Sequence, residues 1–398
     1  MSLLEGIRVV DLGRIIAGPM TGMLLGDLGA DVIKVETGPD GDFLRNQEPN
    51  FGPGLGGYFT TGNRNKRSLQ IDLRAPGGRK VLEALMRSAD VLIENFRPGV
   101  FDEQMGFSDE VLTRDYPQLV VARISAYGDI GPKAHQSGVD QMIQGLSGLM
   151  TVTGTGDSGP VRSGIAVCDV MGALNAAIGI LAALQERNRS GQGQVMRTSL
   201  LEATLAMMSV QAGKYFASGE DPVCEGNHHP VTAPYGMFET ADGFVQLMVS
   251  RQGQFRAFAE MCGRMDWLED PRFADPTSRS VNKQAIRETV AEAMVKRGTA
   301  EWIELLEAAD IPCGPVLSVA EAFNHPQAEA LGMTLEMQSG GDHPVRTPGF
   351  PWRHSRTPAS VRHPVPMLGE HSADIVAELG LAHDSEVREA LAAATGAR

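Results

Sequence analysis

Short apolar runs alternate with helical stretches through the first half of this 398-residue chain, and that alternation restricts the fold more than any other feature. Residues 7–11 (IRVVD), 30–36 (ADVIKVE), 90–94 (DVLIE) and 119–125 (LVVARIS) read as buried strands, with 68–72 as a further candidate. Between them lie a helical pattern from about Pro19 to Leu28 and another opening near Ala75–Pro76, where proline suits a first turn. Strand following helix in this way predicts an α/β fold, a mostly parallel sheet covered on both faces.

Residues 139–150 and 169–187 also read as helices, and the second is small and apolar nearly all round, which predicts burial. A basic, glycine-punctuated turn and a strand–helix pair to about Ser218 follow. The pattern then changes. Tyr235–Ser250 reads as a hairpin turning on Ala-Asp-Gly, followed by helical patterns at roughly 252–263, 282–296 and 299–309. From about 333 the chain is strand-like and then helical again. The expected organisation is a large domain over 1–220, completed by 330–398, and a smaller α+β domain over 225–328. A chain of this length exceeds one ordinary core, which agrees with two.

Charge narrows the function classes. With 35 basic and 49 acidic residues the net charge is −14, a field that repels nucleic acid and anionic membrane surfaces. A small anionic ligand remains compatible, since a local arginine or a helix N-terminus suffices for a phosphate. Cys168, Cys224, Cys262 and Cys313 lie far apart, as neither a disulfide framework nor a zinc site requires. The N-terminus enters a strand without signal-peptide character, and no apolar stretch reads as long enough to cross a bilayer, so a cytoplasmic enzyme is expected.

The common nucleotide and hydrolase signatures are missing: there is no GxGxxG after the first strand, no P-loop, no GxSxG and no HExxH. Asp169 draws attention instead, because it follows an extended glycine-containing stretch and opens the apolar helix. Its plain reading is a helix N-cap. Its functional reading is a carboxylate that attacks a carbonyl and forms a covalent intermediate. Asn95-Phe96-Arg97-Pro98-Gly99 ends a strand, where open α/β sheets build ligand sites, and its polar groups suit phosphate or amide contacts. Asn65-Lys66-Arg67-Ser68 is a basic entry to a strand whose plain reading is a solvated charge pair. Tyr127 follows another strand end, and Asp140 opens the next helix. The adjacent His228 and His229 point apart and do not make a metal site.

Read together, nine stretches in register resemble the family III CoA-transferases, the group of formyl-CoA transferase and carnitine CoA-transferase. They include AGPMTGMLLGDLGADVIKVE (17–36), ADVLIENFRPG (89–99), AYGDIGP (126–132), the Asp169 segment, GILAALQERNRSGQGQ (179–194) and APYGMFETADG (233–243). The resemblance implies a Rossmann-like large domain, a smaller domain, and a homodimer whose subunits interlock. It implies no permanently bound cofactor, with coenzyme A and acyl-CoA as substrates, and Asp169 as nucleophile through an acyl anhydride and an aspartyl-CoA thioester. Backbone N–H groups at the helix start would serve the developing oxyanion. Ile16, Ala17, Asn95, Phe96 and Arg97 fall where the family holds CoA, Arg74 near the nucleotide, and Tyr127, Asp140, His229 and Tyr235 near the acyl end.

Three departures from formyl-CoA transferase point away from formyl and oxalate: Ile16 replaces a glutamine, Val139 a tyrosine, and a glycine-rich insert before the hairpin is missing. The competing activity on the same fold is acyl-CoA racemisation, which uses a histidine directly before the acid. Here the triplet is Gly138-Val139-Asp140, and valine moves no proton. The sequence therefore predicts CoA transfer between small carboxylic acids, succinyl-CoA and other dicarboxylates foremost.

Overall fold

The computed structural model describes residues 2–341 and 343–396. The chain forms two compact units. One runs up to Leu149, takes in Ser163–Ser209 and resumes from Pro326; the other is Met150–Arg162 with Val210–His325.

The first unit is built on six parallel strands, β1 (Arg8–Asp11), β2 (Asp31–Glu36), β3 (Lys66–Gln70), β4 (Val91–Glu94), β5 (Val120–Ser125) and β6 (Val195–Ser199), in the order β3-β2-β1-β4-β5-β6. This is a doubly wound sheet. Alternate strand residues feed two cores, as the period of two requires. Val10, Ile33, Leu69 and Leu92 pack on one face with Val81, Leu82 and Leu85 of α2 (Pro76–Ser88) and with Ile375 and Val387 from the C-terminal helices. Val9, Val32, Val91 and Ala122 pack on the other with Leu25 of α1 (Ala17–Asp27) and with Ala176, Ile180 and Ala183 further along the chain. Near the C-terminal end of this unit Thr334–Ser339 and His343–Pro348 pair antiparallel.

The second unit carries a three-stranded antiparallel sheet, β7 (Tyr235–Glu239), β8 (Phe244–Met248) and β9 (Cys313–Pro315), over a core of Phe238, Leu247, Phe255, Phe258, Trp267 and Trp302. Glu225 in this unit is clasped by Lys283 and Arg287.

Two expectations change. Lys66 and Asn65 are not solvated: Lys66 is fully buried inside β3, its Nζ 2.7 Å from Asp11 and 2.7 Å from the Pro19 carbonyl. An ion pair made across the sheet leaves no trace in local sequence. The helix α4 (Val167–Ser190), which follows α3 (Asp140–Leu146), is also not buried all round. Ala173, Ala176, Ile180 and Ala183 are buried, whereas Leu174 is 37% and Ile178 64% exposed. At 24 residues α4 is, by length and composition alone, apolar enough to cross a membrane, contrary to the expectation from sequence, where alanines and glycines dilute the run.

Candidate active site

In the order above, β1 and β4 are neighbours whose chain connections leave in opposite directions, and open α/β sheets bind ligands outside the strand C-termini at that point. The turn from β1 into α1 and the loop after β4 meet there and are bolted together. Asn95 Oδ1 accepts the Arg14 N–H at 2.8 Å while its Nδ2 donates to the Arg14 carbonyl at 2.9 Å. Glycine is required for this approach: a Cβ on Gly18 would lie 2.7 Å from the Gly13 Cα and 3.2 Å from the Asn95 side chain.

The turn is held from behind by buried charge. Lys34 Nζ donates to the Gly13 carbonyl (2.9 Å) and pairs with Asp42 (3.2 Å), and the same Asp42 oxygen accepts the Ile15 N–H. Ile15 sits at φ +68, a conformation a β-branched residue adopts only when its surroundings impose it.

A pocket opens against this bolted pair. Its walls are Arg14 to Ala17, Asn95 to Pro98, Ile124 to Ala126, Gln136 to Val139, Leu200 and Asp169. Asp169 lies in the first turn of α4, but it does not cap the helix. The N-cap position is Ala166, without a side-chain cap. The cap comes from another helix: Asp140 Oδ1 accepts the Cys168 N–H at 2.7 Å and faces the Asp169 N–H at 3.4 Å. Gln144, one turn on from Asp140 and fully buried, donates to Asp140 Oδ2 at 2.5 Å and accepts the Ser163 N–H at 2.7 Å. No hydrogen bond reaches the Asp169 carboxylate among the described residues. Burial, and then the neighbouring Asp140 charge, push its carboxyl up to about 7. An acid so placed is poised between its two forms at neutral pH, and its anion is poorly solvated.

The structure thus gathers Ile16, Ala17, Asn95, Phe96, Arg97 and Asp169 around one pocket, with Asp140 directly behind. Arg74 is not part of its wall; it is 89% exposed and pairs with Asp72. Tyr127 stands outside the wall too, with Lys133 over its ring. His229 and Tyr235 belong to the second unit, where their rings stack at 4.7 Å and His229 Nδ1 accepts the Val231 and Thr232 N–H groups. The backbone N–H groups expected to face an oxyanion are occupied: Val167 donates to the Ile165 carbonyl, while Cys168 and Asp169 face Asp140. Val139, half exposed, lines the pocket where a racemase would need its histidine, and His135 lines a neighbouring pocket instead.

Gln144 and Glu94 were not anticipated. The spacing of four from Asp140 was the available signal for the first, and an acid ending an apolar strand run for the second.

A doubly wound sheet presenting an unpaired carboxylate in its switch-point pocket defines the class, and this chain belongs to CoA-transferase family III, which it matches over residues 4–372. Among characterised proteins it is similar to the succinate–glutarate CoA-transferase of Agrobacterium fabrum, 38% identical over 386 residues that cover 94% of this chain and 95% of that protein. It is also similar to the acetyl-CoA:oxalate CoA-transferase of Acetobacter aceti, 35% identical over 377 residues covering 93% and 94%. A solved CAIB/BAIF family protein from Brucella suis superposes with a TM-score of 0.84 at 37% identity, covering 95% of this chain and 99% of that one.

Proposed function

We propose that this CoA-transferase exchanges coenzyme A between small dicarboxylic acids, with succinyl-CoA as donor, by covalent relay through Asp169. The observation that carries the mechanism is the division of labour at α4: Asp140 caps the helix, so the half-buried Asp169 carboxylate is left free of hydrogen bonds. A carboxylate without donors retains its nucleophilicity.

Asp169 attacks the thioester carbonyl, and the C–S bond breaks to give an acyl–aspartyl anhydride and CoA thiolate. The thiolate attacks the aspartyl carbonyl of that anhydride, releasing the first acid and leaving an aspartyl-CoA thioester. The acceptor carboxylate attacks this thioester, forming a new anhydride, and the thiolate then takes the acceptor acyl group and frees Asp169. Every intermediate stays activated as long as water is kept out. Ile16, Ala17, Asn95, Phe96 and Arg97 would wall the CoA arm, and exposed Arg74 would meet nucleotide phosphate from outside the pocket.

Dicarboxylates are favoured by the relatives, whose names carry succinate, glutarate and oxalate. The enzyme would act in the cytoplasm as a homodimer with interlocked subunits. Support for a second copy comes from the exposed apolar side chains of Met142, Leu174, Ile178 and Leu205 in the first unit. Incubation with succinyl-CoA and a panel of free acids, read by mass spectrometry, tests the reading. New acyl-CoA from glutarate or a C5 unsaturated diacid is expected, and none from oxalate. Turnover with monocarboxylates alone would overturn the dicarboxylate assignment.

A further inference from the structure

Glu94 is a buried carboxylate beside the pocket that the relay leaves without a task. It ends β4 immediately before the Asn95–Pro98 loop and is 7% exposed. Its Oε2 accepts the Phe96 N–H at 2.9 Å, so the carboxylate fixes the backbone of the loop two residues on. Its Oε1 faces Arg123 of β5 at 3.8 Å, and the Arg123 Nε found there has no hydrogen-bond partner. The Arg123 guanidinium lies over Phe101 (5.7 Å), on which the Phe96 ring stacks at 6.5 Å. Backbone and ring of this wall therefore meet at Glu94, beside an Arg123 that it shares with Asp102 (3.5 Å) and Asp109 (3.3 Å).

We propose that Glu94 is a positioning residue, which holds the Asn95–Pro98 wall in its CoA-binding conformation while ionised and releases it on protonation. The proposal rests on the reading of that loop as the CoA wall. Ionised, Glu94 makes a charge-assisted hydrogen bond to Phe96 and attracts Arg123; neutral, it keeps a weaker bond and loses the ion pair. The charged groups that bear on it are Arg123 on β5 and Arg197 on β6, which favour the anion, and Asp102 beyond the loop, which opposes it. Burial outweighs the attractive groups and pushes its carboxyl up to about 7, so both states are populated near neutral pH. The wall would then tighten on CoA as pH rises through neutrality.

The test is CoA binding by calorimetry from pH 5.5 to 8.5. The parent is the full-length protein carrying Asp169→Ala, which removes the titration of Asp169 itself. CoA phosphate titrates in the same range, so the comparison is between this parent and the same protein with Glu94→Gln added. The parent is expected to lose about tenfold more affinity on acidification than the Glu94→Gln protein, which binds weakly at every pH. Superimposable pH profiles would overturn the assignment of Glu94. An Asn95→Ala protein should bind CoA more weakly throughout; unweakened binding there refutes the CoA wall itself, and Glu94 with it. Hydrogen exchange in the unsubstituted enzyme needs no folded variant. Residues 95–99, corrected for intrinsic rate, should exchange faster at pH 6 than at pH 8, and equal protection overturns the proposal.

Discussion

Replacing Asp169 with asparagine should stabilise the folded protein, and by an amount that grows with pH. The side chain is nearly isosteric and already lacks hydrogen bonds, so the substitution removes charge and little else. Lifting a carboxyl from its ordinary 3.8 to about 7 means that the fold binds the proton more tightly than the unfolded chain does. Stability contributed by the protonated form is therefore lost as pH rises from about 4 to about 7, and stays lost above. At the alkaline plateau this disfavours the native anion by about 4 kcal/mol. By the same linkage the advantage of asparagine should be about 2 kcal/mol at pH 5.5 and widen by about 2 kcal/mol more by pH 8.5. A unit of this size shifts its melting temperature by about 2 °C per kcal/mol, so the gap between the two proteins should open by about 4 °C. Differential scanning fluorimetry across that range reads it directly. A constant gap, or a variant less stable than its parent at pH 8.5, would show that Asp169 is not an uncompensated, partly desolvated acid.

Activity should follow the same group in the opposite sense. Because the anion attacks, kcat at saturating acyl-CoA should fall as pH drops through about 7, approaching tenfold per unit. Gln144→Leu removes the donor that holds Asp140 and leaves the Ser163 N–H without its acceptor. It should lower kcat by about tenfold or more, with CoA affinity changed less than threefold, because a shift of Asp140 misaligns the start of α4. Steady-state kinetics with parallel binding measurements checks the split; equal loss in both would point to general disruption.

The fold was legible because its strands are covered on both faces and so appear as unbroken apolar runs, as in Val91 to Ile93 and Leu119 to Ala122. The start of β3 was hidden, since Lys66 and Arg67 look like loop chemistry until Asp11 and Asp31 are brought beside them. Helix α4 was visible, but not its exposed stripe of Leu174 and Ile178, because a small apolar helix looks the same with one covered face or two. Ile16, Ala17 and Asn95 to Arg97, singled out by strand ends and family resemblance, line one pocket. What local sequence could not decide was whether Asp169 caps its helix. That depended on Asp140, 29 residues earlier, taking the N–H groups first. Glu94 went unnoticed for a related reason, since an acid at a strand end acquires meaning only from Arg123 on the adjoining strand.

The relay through Asp169 is tested most directly by trapping its acyl form. Enzyme turning over succinyl-CoA should be treated with hydroxylamine, digested and mapped by mass spectrometry. A hydroxamate on Asp169 is expected that appears only with donor present and vanishes in the Asp169→Asn protein. Turnover at full rate with that residue never modified, or with the label on another side chain, would contradict it.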